Sequence, residues 1–191
     1  MKKTLIAIAA ASTLAFSLSA LAMTKTEYKT QKDQISATYK ADKKACDGMK
    51  GNAKDVCKSE AKGKDKVAKA ELEAQYKPSP SHDKKVMDAK ADATYDTAKE
   101  KCDDQKGNAK DVCVKDAKAA HTAAIEDAKV AKTAEKADMG KASPAAVAEQ
   151  RKDATEEKSE ANYAAAKERC DSMSGATKDT CEKDAKMKYK K

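Results

Sequence analysis

The chain has 191 residues, 38% of them charged and 4% aromatic, with 40 Lys and Arg against 32 Asp and Glu and a formal net charge of +8. Such a mixed surface favours solubility and weak attraction to anionic polymers, but no block of the sequence gathers Lys and Arg as a nucleic-acid binder would, so specific nucleic-acid recognition is excluded as an expectation.

The N-terminus reads as a secretory signal. Met1 to Lys3 is basic, residues 5–18 are apolar apart from scattered hydroxyls, and residues 19–22 read S-A-L-A, which predicts cleavage after Ala22. The mature charge is then +8 less the two signal lysines, or +6, over 191 less 22, or 169 residues. No later run offers about 20 apolar residues, so no integral membrane span is expected after cleavage. No cysteine directly follows Ala22, so no lipid anchor is expected either.

After the signal there are one Leu, two Ile, seven Val and no Phe, a composition that by itself suits a disordered chain. The small net charge and the abundance of alanine, the strongest helix former, argue for helix instead. Burying alanine stabilises little, and units of about 50 residues usually need cross-links to supplement such a core.

Those units are visible as repeats. Residues 50–57 read K-G-N-A-K-D-V-C, residues 106–113 are identical, and residues 174–181 read S-G-A-T-K-D-T-C. The full unit is Y-x6-C-D-x9-C-x3-A-K, with Tyr39, Tyr95 and Tyr163 ahead of Cys46, Cys102 and Cys170, and with Cys57, Cys113 and Cys181 closing it. All three prolines, Pro78, Pro80 and Pro144, fall between units and mark linkers over residues 78–81 and 140–144. The predicted fold is all-α: three tandem disulfide-stapled antiparallel helical hairpins, residues 23–77, 82–139 and 145–191, joined by Pro/Ser linkers into an extended object.

Within hairpins, first helices are predicted over 25–49, 82–105 and 145–173, and second helices over 53–77, 109–139 and 177–191. Gly51, Gly107 and Gly175 suit the left-handed conformation that ends a helix, and Asn52 or Asn108 the cap of the next. Asp55, Asp111 and Asp179 would sit in its first turn. The third unit has Ala176 at the capping position, which leaves Thr177 to cap. Asp65 with Lys69, Asp111 with Lys115 and Asp184 with Lys188 are acid-to-base pairs four apart on solvated faces.

Six cysteines in an exported chain, in pairs of constant spacing, read as disulfides. Antiparallel helices would bring Cys46 to Cys57, Cys102 to Cys113 and Cys170 to Cys181, each bridge worth about 3 kcal/mol for a loop of about 12 residues. Tyr39, Tyr95 and Tyr163 lie two turns from their cysteines and are expected to pack against Ala61, Ala117 and Ala185. No C-x-x-C occurs, and His82 and His121 stand at unrepeated positions, so no metal site, redox pair or cofactor is expected. Lys43, Lys99 and Lys167 recur three residues before the first Cys, and Asp47, Asp103 and Asp171 directly after it. A carboxylate there is disfavoured by the helix macrodipole; a Lys four residues earlier, or open amides of the turn, would compensate it. Paired acids such as Asp47 and Asp55 holding a cation are the sharper alternative, made poor by Lys50 and Lys54.

No H-E-x-x-H, G-x-S-x-G or G-x-G-x-x-G occurs, and no catalytic residues or enzyme activity are expected. With its signal, its Ala/Lys/Asp/Glu wording and its G-N-A-K-D-V-C units, the chain resembles periplasmic proteins of proteobacteria sometimes labelled TolA-like cell-envelope proteins. The resemblance implies a periplasmic, non-catalytic helical protein, a structural or interaction module whose partner is an unknown envelope protein or polymer. A binding protein for metal ions or anionic envelope polymers is the alternative.

Overall fold

The structure is a computed structural model that describes residues 23–190; the expected signal segment, its cleavage site and Lys191 lie outside the described residues. It is all-helical: α1 Lys25–Ala45 with a 3₁₀ turn Cys46–Gly48 behind it, α2 Gly51–Tyr76, α3 Pro80–Cys102, α4 Asn108–Asp138, α5 Pro144–Cys170 and α6 Gly175–Tyr189. At about 1.5 Å per residue the 31-residue α4 is the longest rod.

Each helix starts for a local reason. Thr24 and Glu27 form a capping box, Thr24 Oγ1 accepting from the Glu27 N–H at 3.2 Å while Glu27 Oε2 accepts from the Thr24 N–H at 2.7 Å; that backbone donor, and then the Thr24 hydroxyl at 2.8 Å, hold the Glu27 carboxyl below the usual glutamate range. Ser79 and Ser143 cap α3 and α5 through their hydroxyls, with Pro80 and Pro144 in the first helical turn. These two prolines, expected in linkers, belong to helices, because an N1 proline lacks only an N–H that the helix leaves unbonded anyway.

The hairpin bends differ from expectation in the same way three times. The first helices stop at the first cysteine, not at residues 49, 105 and 173, because the chain tightens there: the Met49, Gln105 and Met173 N–H groups bond the carbonyls of Cys46, Cys102 and Cys170 at 3.1, 3.0 and 2.9 Å, an i to i+3 pattern. Gly51, Gly107 and Gly175 do take positive φ, 55°, 57° and 57°, but they open the second helix instead of ending the first. Asn52 therefore lies inside α2 and Asn108 is the first residue of α4. The residues at the cap positions, Lys50, Gly107 and Ser174, make no side-chain capping bond, and Thr177 lies inside α6.

The three bridges are Cys46–Cys57, Cys102–Cys113 and Cys170–Cys181, with Cα separations of 5.7, 5.6 and 5.7 Å. Cys46, Cys102 and Cys170 are wholly buried, and the remaining buried apolar positions are mostly alanines, with Leu72 and Val147 the exceptions. Small side chains let helices approach closely. Between α2 and α3 the approach is close enough that Gly63 is buried against Ala93.

Every helix packs on the helix before and the helix after it, and on no other among the described residues. The hairpins do not dangle from their linkers: α2 with α3 and α4 with α5 form interfaces at least as extensive as those inside the hairpins. The result is a single layer of six antiparallel helices, bridges along one edge and proline turns along the other.

Candidate functional site

Two kinds of contact fix the layer, and together they decide what its faces present. The first lies inside each bend. Lys54, Lys110 and Lys178 reach back to Asp47, Asp103 and Asp171 at 3.8, 2.9 and 2.7 Å. The repeated acid after the first cysteine is thus compensated chiefly by the lysine seven residues on, across the turn; in the third unit the one four before it, Lys167, adds a smaller contribution. Hydrogen bonding to these carboxylates raises Lys110 and Lys178 above the usual lysine range, and the Lys178 bond lowers Asp171.

The second kind joins neighbouring hairpins. Glu60 on α2 pairs with Lys101 on α3 at 3.2 Å, and Asp116 on α4, at the equivalent position, pairs with Arg169 on α5. The Asn108 side-chain amide donates to the Glu168 carbonyl at the end of α5, 2.9 Å away. Between α2 and α3, Lys66 meets Asp96 at 3.6 Å and Lys90 meets Glu71 at 2.7 Å. The residue before the first cysteine is basic in the second and third units but is Ala45 in the first, whose α1 has no helix on its outer side among the described residues. Likewise Asn52 and Asn108 have a following hairpin to face, and among the described residues Ala176 has none. Of the three expected acid-to-base pairs only Asp65–Lys69 forms, at 2.8 Å; Lys115 turns instead toward Glu168 in the next hairpin, 3.9 Å away.

One broad face of the layer is grooved. Between α2 and α3 a groove of about 630 Å³ has a floor that includes Gly63, Val67 and Ala93 and a charged rim that includes Lys64 and Lys90. Parallel grooves run between α1 and α2, about 480 Å³, and between α3 and α4, about 450 Å³. Adjacent grooves share their dividing ridges, Lys64 and Ala68 on α2 and Lys90, Thr94 and Ala98 on α3.

The three repeated tyrosines are half-buried. Tyr39 and Ala61 line the α1–α2 groove, and Tyr95 and Ala117 the α3–α4 groove. Tyr95 also meets the His121 ring at 4.9 Å, and His121 Nε2 lies 2.8 Å from Asp92 Oδ1. The second histidine, His82, sits at the proline edge beside Ser79, with its Nε2 4.0 Å from Glu73. There Tyr28 stacks on Tyr76 with ring centres 4.5 Å apart and donates its hydroxyl to Glu73 at 2.7 Å. That bond lowers the Glu73 carboxyl and raises the Tyr28 phenol. Among the described residues no three or more His, Cys, Asp or Glu come together as a metal ion would need.

Sequence reasoning missed Gly63, the Asn108 bond and the Lys101 and Arg169 contacts. Their signal lay in differences between the units: Ala45 stands where the second and third have Lys101 and Arg169, Ala176 where the first and second have Asn52 and Asn108, and Gly63 where the second and third have Ala119 and Met187. Comparison with known proteins adds no relative: no protein-family model, no curated protein and no solved structure matches this chain.

Proposed function

We propose that this chain is an exported, non-catalytic helical-repeat protein, a structural or interaction module of the cell envelope working in the periplasm. The observation that carries the reading is the single layer itself, three covalently stapled hairpins aligned by neighbour-specific contacts with both broad faces uncovered. Repeat layers of this kind use such extended faces for binding. All described cysteines are in bridges, which fits an oxidising compartment, and among the described residues no helix is long and apolar enough to cross a membrane. The resemblance to Ala/Lys-rich periplasmic proteins labelled TolA-like points the same way.

The test is to express the full chain with its own N-terminus, release the periplasm by osmotic shock and measure intact mass without reductant. The expected species begins at Met23 and is lighter than the reduced chain by six hydrogens. A cytosolic species that begins at Met1 and carries free thiols would overturn the reading.

A further inference from the structure

We propose that the face opposite the grooves carries a binding line for a linear polyanion, made of Lys43, Lys62, Lys99, Lys118, Lys167 and Lys186, one lysine from each helix. The proposal rests on the reading of the chain as an interaction module and names the chemistry of what it binds.

The first support is repetition without a structural task. In every unit a lysine stands three residues before the first cysteine and another five after the second, while residues 40–42 read K-A-D in the first unit, D-T-A in the second and A-A-A in the third. Most other repeated residues have work inside the fold: the cysteines bridge, the glycines turn, Asp47 and Lys54 with their counterparts pair, and Ala61 and Ala185 are buried, while the exposed Asp55, Asp111 and Asp179 lie near the starts of the second helices. The six lysines are all exposed and none of them forms an ion pair among the described residues, whereas Lys54, Lys101, Lys110, Arg169 and Lys178 all do. Lys167 also acts on a repeated acid: Asp171 is lowered chiefly by the Lys178 bond, and Lys167 adds to this from a longer distance. Lys43 and Lys99 lie 5.8 and 5.6 Å from the ring centres of Tyr39 and Tyr95, a contact that steadies an ammonium without neutralising it.

The second support is alignment. Cys46 faces Cys57, so Lys43 lies about one turn from the bridge on α1 and Lys62 about a turn and a half on α2, a difference of roughly 3 Å at 1.5 Å per residue. Lys43, Lys62 and Lys99 line one depression that runs over α1, α2 and α3. The Asp116–Arg169 contact brings Lys118 level with Lys167 in the same way. Lys62 points away from Lys64, and Lys118 away from Ala120, because residues two apart on a helix face nearly opposite sides; Lys64 and Ala120 line grooves on the other face. With neighbouring helices 8–10 Å apart, the line crosses the layer over about 45 Å.

The shape of the charge selects the ligand class. Asp55, Asp96 and Glu100 share the depression with the lysines, so the positive potential is a strip and not a field. An anionic membrane plane would press against those acids, and a single small anion would reach one or two lysines. A flexible chain with an anionic group at every repeat can follow the strip and release one counterion per contact.

The experiment uses the mature, bridged protein and long-chain inorganic polyphosphate, titrated at several salt concentrations, with orthophosphate and anionic phospholipid vesicles as separate arms. One variant carries Lys→Gln at the six line positions, and a lighter one K43Q/K62Q/K99Q in case the first is unstable. The control carries Lys→Gln at Lys29, Lys32, Lys40, Lys85, Lys141 and Lys183, exposed residues off the line, with the same net charge as the six-fold variant. Expected are polyphosphate binding with a log–log salt slope of about −4 for six contacts to a single strand, at least a tenfold loss and a flatter slope in the six-fold line variant, a smaller loss in the triple variant, and little change in the control. Equal loss in line and control variants, no polyphosphate binding at low salt, or tighter binding to orthophosphate or to vesicles than to polyphosphate would overturn the proposal. Because it is done in vitro, its failure is separable from failure of the export test.

Discussion

A methyl group placed on Gly63 would come within 2.7 Å of the Ala93 Cβ and 3.3 Å of its Cα, so α2 and α3 meet with no room for a side chain between them. Gly→Ala at an exposed helix interior stabilises by up to about 1 kcal/mol. Here the overlap reverses the sign, and Gly63→Ala should destabilise by about 1–3 kcal/mol. The double variant G63A/A93G should regain most of the loss. Denaturant unfolding followed by circular dichroism measures both; an unchanged or raised midpoint for Gly63→Ala would mean that the two helices stand further apart.

The two asparagines of the repeat should respond differently to truncation. Asn108→Ala removes the bond to the Glu168 carbonyl and should cost about 1 kcal/mol. The Asn52 amide nitrogen and oxygen are buried without a partner, so Asn52→Ala should be neutral or slightly stabilising, helped by alanine's helix propensity. Equal losses at the two sites would show that both side chains serve the same role.

Reduction should unlock the hairpins at about 3 kcal/mol for each loop of about 12 residues. The loss will not be uniform. The third unit has the shortest second helix and lacks the Asn of the other two, and of these two reasons for early melting only the first stands, because no unit uses an Asn cap. The same order now follows from α6, which has 15 residues and a single neighbour. Hydrogen exchange under reductant should therefore reach residues 175–189 before residues 108–138, and the reverse order would contradict nearest-neighbour stabilisation.

Acid and alkali should each loosen the proline edge through one hydrogen bond. Glu73 has a lowered pKa when folded, chiefly from the Tyr28 hydroxyl. Its contribution is therefore complete above the ordinary glutamate value, about 4.3, and is lost as pH falls through the lowered one. Tyr28 has a raised pKa when folded, chiefly from Glu73, so its contribution is complete below about pH 10 and is lost as pH rises through the raised value. Tyr28→Phe should flatten the pH dependence of the thermal midpoint on both flanks. A profile identical to that of the unsubstituted chain would show that the bond contributes nothing.

The repeats made much of this fold readable. Cys46 and Cys57 recur at one spacing three times, and alanine in place of larger side chains is itself a helix signal. What could not be read was contact between units. Asn52 and Asn108 follow a glycine, the pattern of a cap, and only the neighbouring hairpin reveals that Asn108 serves the end of α5. Ala45 against Lys101 and Arg169 was visible as a difference between copies, but its meaning depends on knowing that Glu60 and Asp116 stand opposite. The lysine line was hidden for a related reason: its members are far apart along the chain, so no window of sequence is unusually basic, and only the registered layer sets them side by side.

Because each helix touches only its sequence neighbours among the described residues, a pull on the two ends of the layer has no contact between distant helices to break all at once. Force would peel α1 or α6 away and then move inward one helix at a time, in many small yields instead of one large rupture. The covalent bridges all lie along one edge, where they keep the bends closed and shorten the path the load must follow. Stretched in this way the protein would behave as a pleated strap with riveted folds, extending in steps and closing again when released.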